Sequence, residues 1–393
     1  MTPRSQAPNN YGFARGERIA DLMTAEHAQL ARRSEAAERA GNAATAVELH
    51  SQVPMFRRSA HRVVLEQLAS LSGEMTPWMW ARWAAYQCTR AEDGDAGQRL
   101  KGALQRVVDT FYLERLEVAR QQGQDWVPFV AHLAGQSWLF HQWCTYEAGL
   151  LAAFLDDLAT GDLRARSSLA WSWVDAGMGG FRMVSAGVDG LVVQDLSTGD
   201  DVRLLDLGAG FHAEAGGWLI GRVVPSGTEP ALMFDSRPVA VDEQTAREVA
   251  QAPSGRWLEV LRRAVEGGRI DLDVFVSEDR ELVTDIPSLM LVVFATQPQA
   301  LSATLDQLAR GRDEVGRAAY KVLRQVAEGR LGPDDLAPFV AAAVLQPHGH
   351  VMAQRGLLVD SDPEVWLHWA GLVPEPARGR LLGLAEGAGR TGP

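Results

Sequence analysis

The chain has 393 residues, 46% of them apolar and 22% charged, with a formal net charge of −12. Those values describe a globular protein with room for two or three domains, and they count against a partner with a phosphate backbone or an anionic membrane surface. The densest basic run is only Arg57, Arg58 and Arg62. The two cysteines, Cys88 and Cys144, form neither a disulfide framework nor a thiolate metal cluster. The N-terminus lacks the apolar core of a signal peptide, and no stretch reaches the ~20 apolar residues of a membrane span. A cytoplasmic protein with no membrane association is the expectation.

Residues 1–15 are polar and rich in Pro and Asn, a composition that predicts a disordered start. A helical domain is expected over 16–177. Ile19, Leu22, Met23 and Leu30 fall at helical spacing, Gly41-Asn42 stops that helix, and ATAVELHSQ resumes it as a hairpin. The turn looks a little like a tetratricopeptide repeat, but no second copy follows at the required period. A third helix follows Pro54. A fourth opens at Pro77 and carries Trp78, Trp80, Trp83 and Tyr86, an aromatic set that reads as core or as an interface for a second copy. EDGDAG, from Glu92 to Gly97, resembles a fragment of a calcium loop without its later ligands and reads as a linker. Leu100, Leu104, Val107, Val108, Phe111 and Leu116 predict one long amphipathic helix, and another is expected from Ser137 to Leu158. There His141, Cys144 and Glu147 share a face at three-residue spacing. A catalytic thiol would also need an orienting group and an oxyanion donor, so the face reads as the polar edge of a packed helix.

The stretch 178–240 changes character. Turn signals at AGVDG, STGDD, LGAG through EAGG, and PSGTEP separate five β-like runs: FRMVSA, GLVVQDL, DVRLLDL, GWLIGRVV and PALMFD. This predicts a small antiparallel barrel of SH3-like or OB-like size set into a mainly α protein. Eight carboxylates against three arginines between Gly179 and Asp235 argue against an oligonucleotide groove.

Phe181, Asp195-Leu196, Thr198-Gly199 and the run from Gly217 through Arg222-Val223-Val224-Pro225 resemble the middle of a group of uncharacterised bacterial proteins. Members pair a helical N-terminal region with a small β domain and often end in a cysteine-rich SEC-C zinc motif. The likeness spans about 137–240. No CxC occurs here, so the metal-binding or adaptor role of that tail is not implied.

LLDLGAG, from Leu204 to Gly210, resembles the first motif of class I S-adenosylmethionine-dependent methyltransferases. That resemblance implies Asp206, Gly208 and Gly210 at the cofactor, with Asp235 on its ribose. The residues argue otherwise on three points. FHAEAGGWLIGRVV is too rich in glycine for the helix that must follow. Asp206 and Asp235 stand 29 residues apart, against roughly 20 in such sites. No βαβ alternation follows.

A mainly helical domain is expected over 241–385, with a flexible tail over 386–393. Asp242 is a helix cap for EQTAREVAQA, and RWLEVLRRAVEGG is a second helix. RIDLDVFV alternates and predicts a lone strand with Asp271 and Asp273 on one face, near Glu278, Asp279, Glu281 and Asp285. Such a set could hold Mg²⁺ or Ca²⁺ but reads as a solvated acidic face. SLMLVVFA is a short apolar helix or strand. His348 and His350 have the H-x-H spacing of metal ligands, with His368 further on, but no third ligand at a fixed distance. The expected function is therefore a non-enzymatic protein-interaction or scaffold/regulatory role, with a protein partner or a second copy as ligand and no cofactor. The methyltransferase is the alternative.

Overall fold

A computed structural model describes residues 23–71, 73–91, 94–123, 126–187, 190–207, 215–275, 312–331, 334–359 and 361–391. Helices dominate. In chain order the first are α1 (Ala25–Arg39), α2 (Ala43–Gln52), α3 (Ala60–Ser70), α4 (Pro77–Cys88), α5 (Gly94–Phe111), α6 (Leu113–Gln121), α7 (Val127–Gln136), α8 (Trp138–Gln142), α9 (Leu150–Ala153) and α10 (Gly161–Arg166). The predicted α1–α2 hairpin forms because Asn42 caps α2 through the Thr45 amide. Gly41 makes the turn at φ 77°, where an added Cβ would sit 2.5 Å from the Leu163 nitrogen. Trp78, Trp80 and Trp83 of α4 are buried, so this aromatic face is core.

The single helix expected over 137–158 is broken. α8 runs into a π turn at Trp143–Glu147, Gly149 reverses into the left-handed region at φ 69°, and α9 runs into a second π turn at Phe154–Leu158. Each π turn closes with a bond spanning five residues, Ala148 to Trp143 and Ala159 to Phe154. A π turn adds a residue to the coil and shifts every later side chain around the axis. His141, Cys144 and Glu147 therefore do not keep one face.

The β region is larger than predicted and is mixed rather than antiparallel. Seven strands, β1 (Gly179–Gly187), β2 (Gly190–Asp195), β3 (Asp201–Leu205), β4 (Trp218–Gly221), β5 (Val223–Pro225), β6 (Leu232–Phe234) and β7 (Val239–Val241), lie in the order β5-β6-β3-β2-β1-β4-β7. The β3–β6 pair is parallel and every other pair antiparallel. GWLIGRVV is not one strand but two, divided at Arg222. β4 and β5 are thus one residue apart in the chain yet five positions apart in the sheet. In a flat sheet at ~4.8 Å per strand they would be about 24 Å apart, so the sheet must curl until its far strands meet at Arg222. A bulge between Met183 and Ser185 helps that curl. The result is a half-barrel.

Alternation along the strands fills both of its faces. Phe181, Met183, Leu191, Val193, Leu204, Leu219 and Phe234 pack inside the curl. Their neighbours Leu205, Ile220 and Met233, with Val224 and Val239, join one large core shared with the helices before and after the sheet.

After the sheet come α11 (Glu243–Ala250), capped by Asp242 as predicted, and α12 (Trp257–Glu266). RIDLDVFV is not a strand: Leu272–Phe275 is a 3₁₀ turn, started when the Asp271 carboxylate accepts the Asp273 amide at 3.0 Å. SLMLVVFA and Glu278, Asp279, Glu281 and Asp285 lie outside the described residues. The chain continues as α13 (Arg312–Ala327), α14 (Ala337–Leu345), α15 (Pro347–Gly356), α16 (Pro363–Leu372) and α17 (Ala377–Thr391). The tail expected to be loose from 386 is helical to Thr391. Buried Arg380 ties α17 back to the N-terminal frame, donating to Glu74 at 2.8 Å and to the Ser70 carbonyl at 2.9 Å. Among the described residues no helix is long and apolar enough to cross a membrane.

Candidate functional site

The break at Arg222 places a buried polar network between the sheet and the helices. Backbone direction at that residue turns its side chain into the helices, where it is 1% exposed. Its Nε donates to Gln142 Oε1 at 2.8 Å, its Nη1 donates to the Ala176 carbonyl, and its Nη2 reaches both oxygens of Glu147 at 2.6 and 2.8 Å. The Tyr146 ring lies 4.2 Å from the guanidinium carbon. Glu147 also accepts the Trp257 indole N–H at 2.6 Å. A guanidinium is suited to this position because its planar fork satisfies several acceptors at once.

Gln142 continues the network. With its amide oxygen turned to Arg222, its nitrogen faces the other way, donating to Asp235 Oδ2 at 2.8 Å and Ser236 Oγ at 2.9 Å. Tyr146 donates its hydroxyl to the same Asp235 oxygen at 2.8 Å, and Ser236 donates to Oδ1 at 3.2 Å. Burial, followed by the Asp235 charge, pushes the Tyr146 phenol well above its ordinary pKa. Gln142, Tyr146 and Glu147 reach the sheet together because the π turn sets their register. The Arg222 carbonyl accepts the Asp235 amide at 2.9 Å, which closes the ring from the strand side.

Beside this network lies a shallow cleft between α4, the α8 region and the end of β6. Arg82, Tyr86, Trp138, Tyr146, Trp173 and Asp235 are its main side chains, with Ala85, Thr89, His141, Gln142, Thr145 and Ser236 completing the wall. Arg82 is held by the Phe234 carbonyl at 2.5 Å and lies over Trp78. Cys88 and Cys144 are both buried next to this wall. Burial pushes the Cys88 thiol up to about 12 and raises that of Cys144 as well, so neither is a thiolate at neutral pH.

Tyr86 links the cleft to a second buried group of titratable residues. Its hydroxyl meets His61 Nδ1 at 3.0 Å, and His61 Nε2 meets Glu38 Oε1 at 2.9 Å. Arg90 Nη1 lies 3.3 Å from Glu38 and 3.0 Å from His61 Nε2. Burial would raise the Glu38 carboxyl, but His61 and Arg90 outweigh it and hold it at about 2. Burial, then Arg90, lowers His61; burial, then His61, holds His50 at about 3. Both imidazoles are neutral at pH 7.

The residues singled out by sequence fall in separate places. Asp206 directly follows β3, while Gly208 and Gly210 lie outside the described residues. Asp235 directly follows β6, so the two aspartates follow adjacent parallel strands. The surroundings depart from the methyltransferase pattern, however. β3 is the second arm of an antiparallel hairpin with β2, the described residues between β3 and β6 form β4 and β5, and Asp235 is engaged by Gln142 and Tyr146. His348 and His350 sit two apart on α15, and positions two apart on a helix occupy different faces. His350 keeps a buried Nδ1 without a hydrogen-bond partner, and burial holds it at about 4. His368 pairs with Asp334 at 2.9 Å instead. Among the described residues no three His, Cys, Asp or Glu side chains converge as metal ligands.

Arg222, Gln142 and Tyr146 were not legible as site residues. The one available signal was an arginine in the middle of an otherwise apolar strand, WLIGRVV. Comparison with known proteins adds no name: no family model, curated protein or solved structure matches the chain.

Proposed function

We propose that the protein acts through its surfaces, as a non-enzymatic interaction protein of scaffold or regulatory type. The observation that carries this reading is the α6–α7 segment. Helix α6 buries none of its residues, and Leu113, Val118, Trp126 and Val127 are 43–50% exposed within one short stretch of chain. Exposed large apolar side chains grouped this closely along the chain are what a contact surface for another protein supplies. The interior polar groups support the same reading. Asp235, Glu147 and Arg222 are engaged in hydrogen bonds within the network, and both thiols are protonated, so these groups serve the fold.

The test is quantitative capture by the immobilised full chain, compared with a Val118→Asp/Trp126→Ser double variant of unchanged circular dichroism. A specific protein retained by the parent and lost by the variant supports the reading. Equal retention by both, or consumption of S-adenosylmethionine by the parent, overturns it.

A further inference from the structure

Resting on the reading of α6–α7 as a contact surface, we infer that its partner is a second copy of this chain, with the two α6 helices packed antiparallel about a two-fold axis. Helix α6 is net neutral, Glu114 and Glu117 being balanced by Arg115 and Arg120. The chain as a whole carries −12, so two copies repel each other over most approaches and meet at least cost where charge is locally balanced. The outward face of α6 is also defined. Leu116 packs against the core, and Val118, two positions on and therefore on nearly the opposite side of the helix, is 50% exposed.

The order of the charges gives the direction of the pair. Arg115 is drawn onto its own chain, its guanidinium carbon 5.2 Å from the Phe129 ring. Among the described residues Glu114, Glu117 and Arg120 form no side-chain hydrogen bond or ion pair. Glu117 and Arg120 have the three-residue spacing at which helix neighbours meet, and Arg256 and Glu259 close a pair at that same spacing in α12 and its cap. With Arg115 engaged, the charges left on α6 run from acidic to basic along the helix. Antiparallel packing sets each acidic end against a basic end. An axis passing between Val118 and Ala119 puts Glu117 of each copy opposite Arg120 of the other, so one contact is satisfied twice, as an isologous interface requires. Val118 then lies at the centre, and the Trp126 end of each copy lies beside the Leu113 end of the other. The nine residues of α6 span only about 13 Å. Such an interface falls short of the ~1,200 Å² of a stable complex, so the association is weak and depends on concentration.

The experiment is analytical ultracentrifugation of the full chain from about 1 µM to about 1 mM, in ~50 mM salt so that rim charges are little screened. A reversible monomer–dimer equilibrium is expected. Glu117→Arg and Arg120→Glu each change an exposed side chain and leave circular dichroism unaltered. Each weakens the dimer roughly tenfold or more, because two attractive rim pairs become two repulsive ones. An equimolar mixture of the two variants regains the parent affinity, since one variant is basic at both positions and the other acidic at both. A chain that stays monomeric up to about 1 mM overturns the inference, and so does a dimer that neither variant weakens or a mixture that regains nothing. Two outcomes separate this inference from the surface reading beneath it. Association lost in Val118→Asp/Trp126→Ser but unaffected by the charge variants overturns the antiparallel pairing and leaves the surface standing. A monomeric chain that still retains a different protein through α6–α7 does the same.

Discussion

Replacing Arg222 by methionine removes the cation on which the strand break and the helix contact both depend. Glu147 would keep the Trp257 N–H but lose two bonds from Nη2, Gln142 Oε1 would lose its donor, and the Ala176 carbonyl would lose Nη1. The Glu147 side chain is only 12% exposed, so water does not replace the missing charge. Removing one partner of a buried pair costs about 3–5 kcal/mol, whereas replacing both by apolar groups of similar shape is often close to neutral. Urea unfolding should therefore show a loss of about 3–5 kcal/mol for Arg222→Met and recovery of at least half of it in Arg222→Met/Glu147→Leu. A single-variant loss below about 1 kcal/mol, the level of an exposed ion pair, would mean that Glu147 is not stranded without Arg222. So would a double variant whose losses simply add, because the cost assigned here is that of an unpaired buried carboxylate.

Three further outcomes follow from named contacts. Gln142→Glu places a carboxylate against Asp235 in place of an amide donor, and it should destabilise the fold by about 2–4 kcal/mol at pH 7 and less near pH 4, as read by urea midpoints at the two pH values. Burial lowers the His50 pKa from its ordinary 6.5 to about 3 in the folded chain, which predicts acid lability. The unfolded chain takes up that proton below pH 6.5 and the folded chain does not, so this contribution is complete above pH 6.5 and falls by about 2 kcal/mol by pH 5. His50→Gln should flatten the thermal midpoint against pH between 5 and 7, and an unchanged profile would contradict the assignment. Arg380→Ala removes the donors to the Ser70 carbonyl and the Glu74 carboxylate, while the Leu345 carbonyl keeps Gln67, and should cost about 2 kcal/mol. Hydrogen exchange in α17 should accelerate with it, and unaltered exchange there would show that packing alone holds the helix.

Local signals in the sequence located most elements, and non-local ones were hidden. Proline at the start of α4, Asp242 at the start of α11 and the glycine turns between strands act within a few residues, so they read correctly. The division of WLIGRVV at Arg222 depends on Glu147 and Gln142, which lie 75 and 80 residues away. Nothing local announces them. Parallel pairing of β3 with β6 is equally non-local, which is why an antiparallel barrel was expected where a mixed half-barrel formed. RIDLDVFV has the alternation of a strand, but the Asp271 side chain competes for the backbone and wins a turn instead. The His141–Cys144–Glu147 face assumed an uninterrupted helix, and the π turn at Trp143–Glu147 removes that assumption. Asp235 was singled out for a ribose, while the fold uses it to receive Gln142 and Tyr146.

Hydrogen-exchange mass spectrometry of the full chain, alone and bound to a captured protein partner, tests the surface account most directly. Slowed exchange is expected in α6 and the start of α7, from Leu113 through Val127, with little change at the Arg222 network. Slowed exchange confined to other elements, with α6 and α7 unaltered in the complex, would contradict it.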